Sequence, residues 1–221
     1  MTDGRGIVDW LLSRPGSALE PLFRTDGNLA VRTENYGRDL RPVLCRHPRM
    51  ERAMIDLVEQ GLADPRWEGI LYVMGCGPKP SFSPLYVGKA ERRGRKNSTN
   101  AIFRDIGANR RMFGRWGDDY AYHNGDLSHA LFRFQAHRPV TSTYQRWATT
   151  LFASSDPPQL RAPVALYLLP WYRGDVGPTG VPLSLPTLEE TVIGYAVVEL
   201  GEDLLNRRAG KYQLPLWHGL G

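Results

Sequence analysis

The sequence predicts a mixed α/β (α+β) protein in which a small central three-stranded sheet is flanked by helices. Three short apolar runs rich in β-branched and aromatic residues predict the strands; they are ILYVM (70–74), PLYVG (84–88) and VALYLLPW (164–171). Apolar residues at helical spacing predict a helix before the first strand and another after the last. The 221 residues are enough for one domain with embellishments.

Composition places the chain among ordinary globular proteins. Hydrophobic residues make up 42% and charged residues 23% of the chain. No apolar run approaches the roughly 18 residues that span a bilayer, and Asp9 interrupts the N-terminal apolar piece, so we expect neither a membrane partner nor a signal peptide. The two cysteines, Cys45 and Cys76, make neither a disulfide framework nor a metal-type pair, which favours a reducing, cytoplasmic setting.

Residues 1–66 are predicted as an N-terminal arm with a helix. A short helix is expected over 7–12, in a stretch broken by proline and glycine. In HPRMERAMIDLVEQGLADP, residues Met50, Met54 and Val58 recur at helical spacing, Pro48 suits the first turn, and Gly61 followed by Pro65 marks the end. This amphipathic helix is expected to pack on the core.

The first two strands are joined by GCGPKPSFSP, which predicts a hairpin loop of moderate length. A helix is expected around 100–111, with Ile102, Phe103 and Ile106 as its apolar side. Residues 112–161 form a long insertion, helical or irregular, that is rich in aromatic and cationic side chains. Its histidines are irregularly spaced and lack a completing carboxylate or cysteine, so we do not expect a zinc site there.

The segment 187–206 is ambiguous by composition. Its valines suit a strand, whereas Leu188, Val192 and Ala196 lie on one helical face, and Thr187 with Glu190 has the spacing of a capping box. We expect a helix here. Residues 207–221 are expected to be a C-terminal tail.

Positive charge is concentrated in one segment. Nine cationic residues and two acidic ones lie between Lys89 and Arg115, an excess larger than the +5 of the whole chain. Such a cluster is the usual electrostatic footprint of nucleic-acid binding. The candidate nucleic-acid-binding residues are Arg92, Arg93, Arg95, Lys96, Arg110, Arg111 and Arg115.

The order of these elements resembles the GIY-YIG nuclease superfamily over about 67–206. The similar features are GILY, LYVGKA, an arginine on the next helix, a glutamate opening a late helix (LEETVI) and the asparagine of LLN. The resemblance implies a three-stranded sheet, one Mg²⁺ (or Mn²⁺) held by the glutamate, and a phosphodiester-cutting site. The residues that it assigns to catalysis are Tyr72, Tyr86, Lys89, Arg104, Glu189 and Asn206, with Glu189 as the metal ligand.

Elementary chemistry supports that set. A phenol has a pKa of about 10 and is a poor base at neutral pH, but a neighbouring cation such as Lys89 would favour its phenolate. Arg104 would pair with the scissile phosphate through a bidentate fork, and Glu189 would hold Mg²⁺ together with waters and phosphate oxygens.

Each assignment has a competitor. Tyr72 and Tyr86 can both be plain strand aromatics, and for Tyr72 this alternative is the stronger because it stands one residue later than in the family pattern. Arg92 and Arg95 compete with Arg104, Glu190 competes with Glu189, and Asn206 can simply cap the last helix.

The function expected from these features is that of a self-contained, restriction-type, Mg²⁺-dependent endonuclease that acts on double-stranded DNA. A homodimer is one expected form of the enzyme, and the protein is expected to be associated with the nucleoid when it is bound to DNA. In that case the arm and the insertion would contact DNA. The alternatives are a nucleic-acid-binding module of the same fold without catalysis, a modification- or damage-directed repair nuclease, and a small-molecule enzyme with an anionic substrate.

Overall fold

The computed structural model describes residues 6–93, 103, 106, 124–134, 138–201 and 204–206. Within that part of the chain it contains five helices and eight strands. In chain order these are α1 (Ile7–Leu12), β1 (Ala18–Pro21), β2 (Thr33–Tyr36), β3 (Arg41–Leu44), α2 (Pro48–Ala63), β4 (Trp67–Cys76), β5 (Ser83–Glu91), α3 (Asn124–Phe132), α4 (Ser142–Leu151), β6 (Phe152–Ser155), β7 (Pro158–Leu160), β8 (Val164–Tyr172) and α5 (Leu185–Leu200).

The central sheet is antiparallel and has the strand order β1-β8-β4-β5. The predicted strands β4, β5 and β8 are confirmed, as is the mixed α/β class. The predicted number of strands is wrong by one, because β1 pairs with β8 and places Ala18 opposite Leu168. A strand from the predicted N-terminal arm is therefore part of the central sheet.

The two faces of the sheet are covered by different layers. Alternate residues of β4 point to opposite sides, as a pleated strand requires. Ile70 and Tyr72 belong to one buried cluster, which also contains residues of α2 and α4. Leu71 and Val73 belong to a second cluster, built with α1 and α5. The sheet is thus the middle layer, and β5 forms one of its edges.

Helix α2 follows the prediction closely. His47 precedes it, and its side chain accepts a hydrogen bond from the backbone N–H of Arg49, while Pro48 occupies the first turn. Gly61 lies inside the helix instead of ending it. A Cβ atom at Gly61 would lie 2.4 Å from two ring atoms of Trp67, so the glycine allows the indole to pack against the helix.

Helix α5 confirms the choice of helix over strand, but its start was predicted wrongly. The capping residue is Ser184, whose side chain accepts a hydrogen bond from the backbone N–H of Thr187. Thr187 is therefore three residues inside the cap, and Glu190 has no capping role. The predicted inward face is confirmed, since Leu188, Val192 and Ala196 are buried.

The predicted insertion has more regular structure than expected. It contains α3, α4 and the small β6–β7 hairpin. Of the helix expected over 100–111, Phe103 and Ile106 are described and both are buried; the rest lies outside the described residues, as does 207–221. None of the helices in the described ranges is both long and apolar enough to cross a bilayer.

Candidate active site

Tyr72 and Tyr86 lie on the same face of the β4–β5 hairpin. Tyr72 is paired across the strands with Gly88, two residues beyond Tyr86, so the two rings are diagonal neighbours. Their centroids are 6.2 Å apart, and their hydroxyl groups are hydrogen-bonded. A Cβ atom at Gly88 would lie 2.5 Å from the hydroxyl oxygen of Tyr72, so the glycine of LYVGKA makes room for this ring.

Tyr86 is packed from the side by the predicted insertion. The indole of Trp147, on α4, meets the ring of Tyr86 edge-on at a centroid distance of 4.6 Å. Burial raises the pKa of Tyr86 above its usual value, and the negative charge of Glu189 raises it further, against the lowering effect of the hydrogen bond with Tyr72.

The expectation that Lys89 lowers the pKa of this phenol is therefore wrong for Tyr86. Lys89 is three residues beyond Tyr86 on β5, so its side chain starts on the opposite face of the sheet. On that face Lys89 contacts α5, where its ammonium group pairs with the carboxylate of Glu189.

The ammonium Nζ of Lys89 lies 2.6 Å from Oε2 of Glu189. Both side chains are mostly shielded from solvent, with 25% of Lys89 and 19% of Glu189 exposed. Burial acts to lower the pKa of Lys89, but the hydrogen bond and charge of Glu189, helped by Glu91 and Glu190, outweigh it and raise the pKa. Lys89 therefore stays protonated at neutral pH.

The structure distinguishes the two glutamates that open α5. Glu190 is exposed, whereas Glu189 is partly buried and faces the edge strand through Lys89. The charge of Glu189 also reaches Tyr86 and raises the pKa of its phenol. Of the two candidates, Glu189 is the one connected to both Lys89 and Tyr86.

Asn206 holds the outer edge of β5. Its Oδ1 accepts a hydrogen bond of 2.9 Å from the backbone N–H of Val87, and its Nδ2 donates one of 2.8 Å to the carbonyl of the same residue. The backbone N–H of Leu205 donates to the carbonyl of Leu85 at 2.6 Å. Since α5 ends at Leu200, Asn206 does not cap that helix; it closes a strand edge between the positions of Tyr86 and Lys89.

Only two of the seven predicted nucleic-acid-binding residues are described. The guanidinium of Arg92 donates to the carbonyls of Leu62, Asp64 and Trp67, around the end of α2, which gives it a structural role. Arg93 is exposed. The predicted residues Arg95, Lys96, Arg104, Arg110, Arg111 and Arg115 lie outside the described residues, so contact with DNA remains a prediction for the whole set.

The next question is whether the side chains of this site could bind a divalent metal ion. No group of three or more histidine, cysteine, aspartate or glutamate residues with metal-binding geometry occurs in the described part of the chain. Mg²⁺ does not need one, because it retains waters and binds through one or two carboxylates together with substrate phosphates. Glu189 meets that requirement: it is partly exposed, and Oε1 has no hydrogen-bond partner among the described residues.

Two contacts of this site were missed by sequence reasoning. In the sequence, Trp147 is one of many aromatic residues in the insertion 112–161, and the roles expected for Asn206 are catalysis or the end of a helix. No local pattern indicates that they meet β5, because each contact joins positions that are 61 or more residues apart.

Comparison of the chain with known proteins finds no match. No protein-family model matches the chain, and neither a curated protein nor a solved structure matches it. The site must therefore be interpreted from its own geometry.

Proposed function

We propose that this chain is a Mg²⁺-dependent DNA endonuclease of the GIY-YIG type that acts on double-stranded DNA. The observation that carries the proposal is the pair of tyrosine rings on one hairpin, Tyr72 and Tyr86, whose centroids are 6.2 Å apart. The same hairpin carries Lys89, which connects it to the carboxylate of Glu189 on α5 at 2.6 Å. Two strand tyrosines and one carboxylate from a later helix are the groups that the resemblance assigns to phosphodiester hydrolysis. The sheet is antiparallel and lies between helices, which agrees with the expected class of fold, although it has four strands where the resemblance implies three.

In the proposed mechanism Tyr86 is the general base, and it acts through the small fraction of its phenol that is ionised at neutral pH. A raised pKa keeps Tyr86 neutral at pH 7, and the hydrogen bond from Tyr72 stabilises the phenolate once it forms. The phenolate takes a proton from the attacking water. Because Tyr72 is only 7% exposed, it acts by holding Tyr86 and not by meeting DNA directly.

Lys89 and Glu189 have complementary roles. Lys89 holds and orients the carboxylate of Glu189 on the α5 side of the edge strand. Glu189 is the residue that would hold the metal. Mg²⁺ at that carboxylate would polarise the phosphoryl oxygen and stabilise the leaving oxyanion.

The test is nicking of supercoiled plasmid with Mg²⁺, with Mn²⁺ and with EDTA. Glu189→Ala is expected to abolish nicking and to retain DNA binding, and Glu59→Ala, an exposed glutamate on α2, is the matched control. Equal nicking by the Glu189 variant would overturn the assignment of this carboxylate.

Parallel digests of methylated and unmethylated genomic DNA separate a restriction enzyme from a modification-dependent nuclease, and sedimentation with a palindromic duplex tests the homodimer.

A second function, a nucleic-acid-binding module without catalysis, is favoured by two observations. Nζ of Lys89 lies 2.6 Å from Oε2 of Glu189 and so occupies one oxygen of the carboxylate that is expected to bind the metal. In addition, the pKa of Tyr86 is raised and not lowered. Binding of DNA with no metal-dependent nicking, in the wild type and in Glu189→Ala alike, would decide for this module.

A further inference from the structure

A cleft of about 380 Å³ lies between α3, α4 and the β6–β7 hairpin, away from the tyrosine pair. We call it the α3–α4 cleft. It is lined by residues from the end of α3, one face of α4, strand β6 and the residue after β7; among them are Ala130, Arg133, Gln145, Phe152, Ser155 and Arg161. Its volume is in the range of small-molecule sites.

Two arginines give the cleft a positive charge. Arg133 and Arg161 both line it, and no acidic residue is among the lining residues that the structure describes. Arg133 donates to the side-chain oxygen of Gln145, and Arg161 donates through Nε to the carbonyl of Thr149 at 3.3 Å. Neither guanidinium forms an ion pair with a described carboxylate. Guanidinium groups held in this way can still donate to an anion.

Arg133 is the residue that ends α3. Arg133 has a φ of 54°, in the left-handed region that a non-glycine residue rarely adopts. Its backbone N–H bonds to the carbonyl of His129 at 2.9 Å and so ends α3. A glycine or asparagine is usual at such a position, and the arginine there places a cation at the cleft.

The rest of the wall is mixed. Its apolar residues include Ala130, Ala148 and Phe152, which are buried, and its polar residues are Gln145, Thr149, Ser154 and Ser155. An inorganic anion would use the arginines and leave this wall uncovered. A ligand with a phosphate and a flat, weakly polar part would use both.

Helix α4 connects this cleft with the candidate active site. Tyr144, Trp147 and Leu151 pack in the core, where Trp147 meets Tyr86. Gln145, Ala148 and Thr149 line the cleft. A group in the cleft therefore lies one helix away from the tyrosine pair.

From the charge, the mixed polar and apolar wall and the size, we propose that the α3–α4 cleft binds a nucleotide, with the phosphate on Arg133 and Arg161 and the base, which is flat with polar edges, against the wall beside Phe152. The nucleotide has two possible sources: a free mononucleotide, or an unpaired nucleotide of a DNA strand. This inference goes beyond the proposed hydrolysis, because it concerns binding at a separate place.

The test measures binding in EDTA, so that its result is independent of cleavage. The probes are deoxyadenosine 5′-monophosphate, deoxyadenosine, inorganic phosphate, and two duplexes that differ only in one unpaired nucleotide. The variant is Arg133→Gln/Arg161→Gln, and the matched control is Arg38→Gln/Arg173→Gln, which removes two exposed arginines elsewhere. Ala153→Trp, at an exposed lining position, fills the cleft without a change of charge.

We expect the monophosphate or the duplex with the unpaired nucleotide to bind more tightly than the nucleoside, phosphate or the paired duplex. Loss of two charge-assisted contacts should weaken that binding by about tenfold or more, and Ala153→Trp should weaken it as well, while the control variant binds like the wild type. Binding of the free monophosphate identifies the first source, and binding of only the unpaired duplex identifies the second. Absence of binding by either probe, or equal binding by the Arg133/Arg161 variant and its control, would overturn the proposal.

Discussion

The ammonium of Lys89 and the carboxylate of Glu189 form an ion pair of 2.6 Å that joins the edge strand β5 to helix α5 across 100 positions of the chain. The pair lies on the face of the sheet opposite the Tyr72 and Tyr86 rings, yet the charge of Glu189 still acts on Tyr86. The edge strand is thus the element that joins the two halves of the candidate site.

Breaking this pair should destabilise the fold. Lys89→Met leaves a partly buried carboxylate without its partner, and we expect the free energy of unfolding to fall by about 1–2 kcal/mol, between the values for exposed and fully buried pairs. Glu189→Gln should have a similar effect, and the double variant should lose less than the sum of the two. Urea denaturation measures all four proteins. Additive losses would mean that the two groups do not interact in solution.

The same pair predicts a loss of stability in alkali. The pKa of Lys89 is raised in the folded protein above the ordinary value of 10.5, so the contribution of the pair is fully present below that pH and is lost as the pH rises through the folded value. Wild type and Lys89→Met should therefore converge in stability as the pH rises past 10.5 and through the raised pKa of Lys89. A difference that stays constant across this range in pH-dependent denaturation would contradict the raised pKa.

Gly88 should not tolerate a side chain. A Cβ atom there would lie 2.5 Å from Cζ and from the hydroxyl oxygen of Tyr72, so Gly88→Ala must displace the ring and should cost about 1–3 kcal/mol. The control is Gly27→Ala, whose Cβ would meet no atom within 4 Å. In thermal or urea unfolding, Tyr72→Ala should relieve part of the cost of Gly88→Ala. A Gly88→Ala protein as stable as its control would show that the ring does not pack on this glycine.

The pH dependence of cleavage should identify the base. Because the pKa of Tyr86 is raised above 10, the phenolate fraction grows about tenfold per pH unit throughout the neutral and mildly alkaline range. Single-turnover nicking should rise accordingly up to about pH 9.5, and Tyr86→Phe should remove the rise, while Tyr195→Phe should keep it. A plateau well below pH 9 in the wild type would exclude Tyr86 as the base.

Asn206 should act on the edge of β5 and not on a helix end. Asn206→Ala removes two hydrogen bonds to Val87 and should cost about 1–2 kcal/mol. The Val87 amide should then exchange with solvent much faster, which NMR measures directly, whereas Asn35→Ala on the exposed strand β2 should leave it protected. Unchanged protection of Val87 in the Asn206 variant would refute the edge contact.

Local patterns predicted the elements that have strong local signals. β4 and β8 are apolar runs buried on both faces, β5 contains the shorter apolar run PLYVG, and α2 and α5 have apolar residues at helical spacing. Each could therefore be recognised without its neighbours. Weak elements were missed. The four residues of β1 have no such pattern, and they are a strand because β8 offers backbone partners from Leu168 to Ala165.

The sequence by itself determined the class of the fold, the hairpin that carries both tyrosines, and the helix that carries Glu189. Only the tertiary structure decided that Tyr86 and Lys89 lie on opposite faces, that Glu189 and not Glu190 meets Lys89, and that Asn206 holds the edge beside Val87. Secondary structure follows from side chains a few residues apart, which the sequence displays directly. The ionisation of Tyr86 and Lys89 depends on burial and on charges brought near by distant segments, and these exist only once the chain is packed.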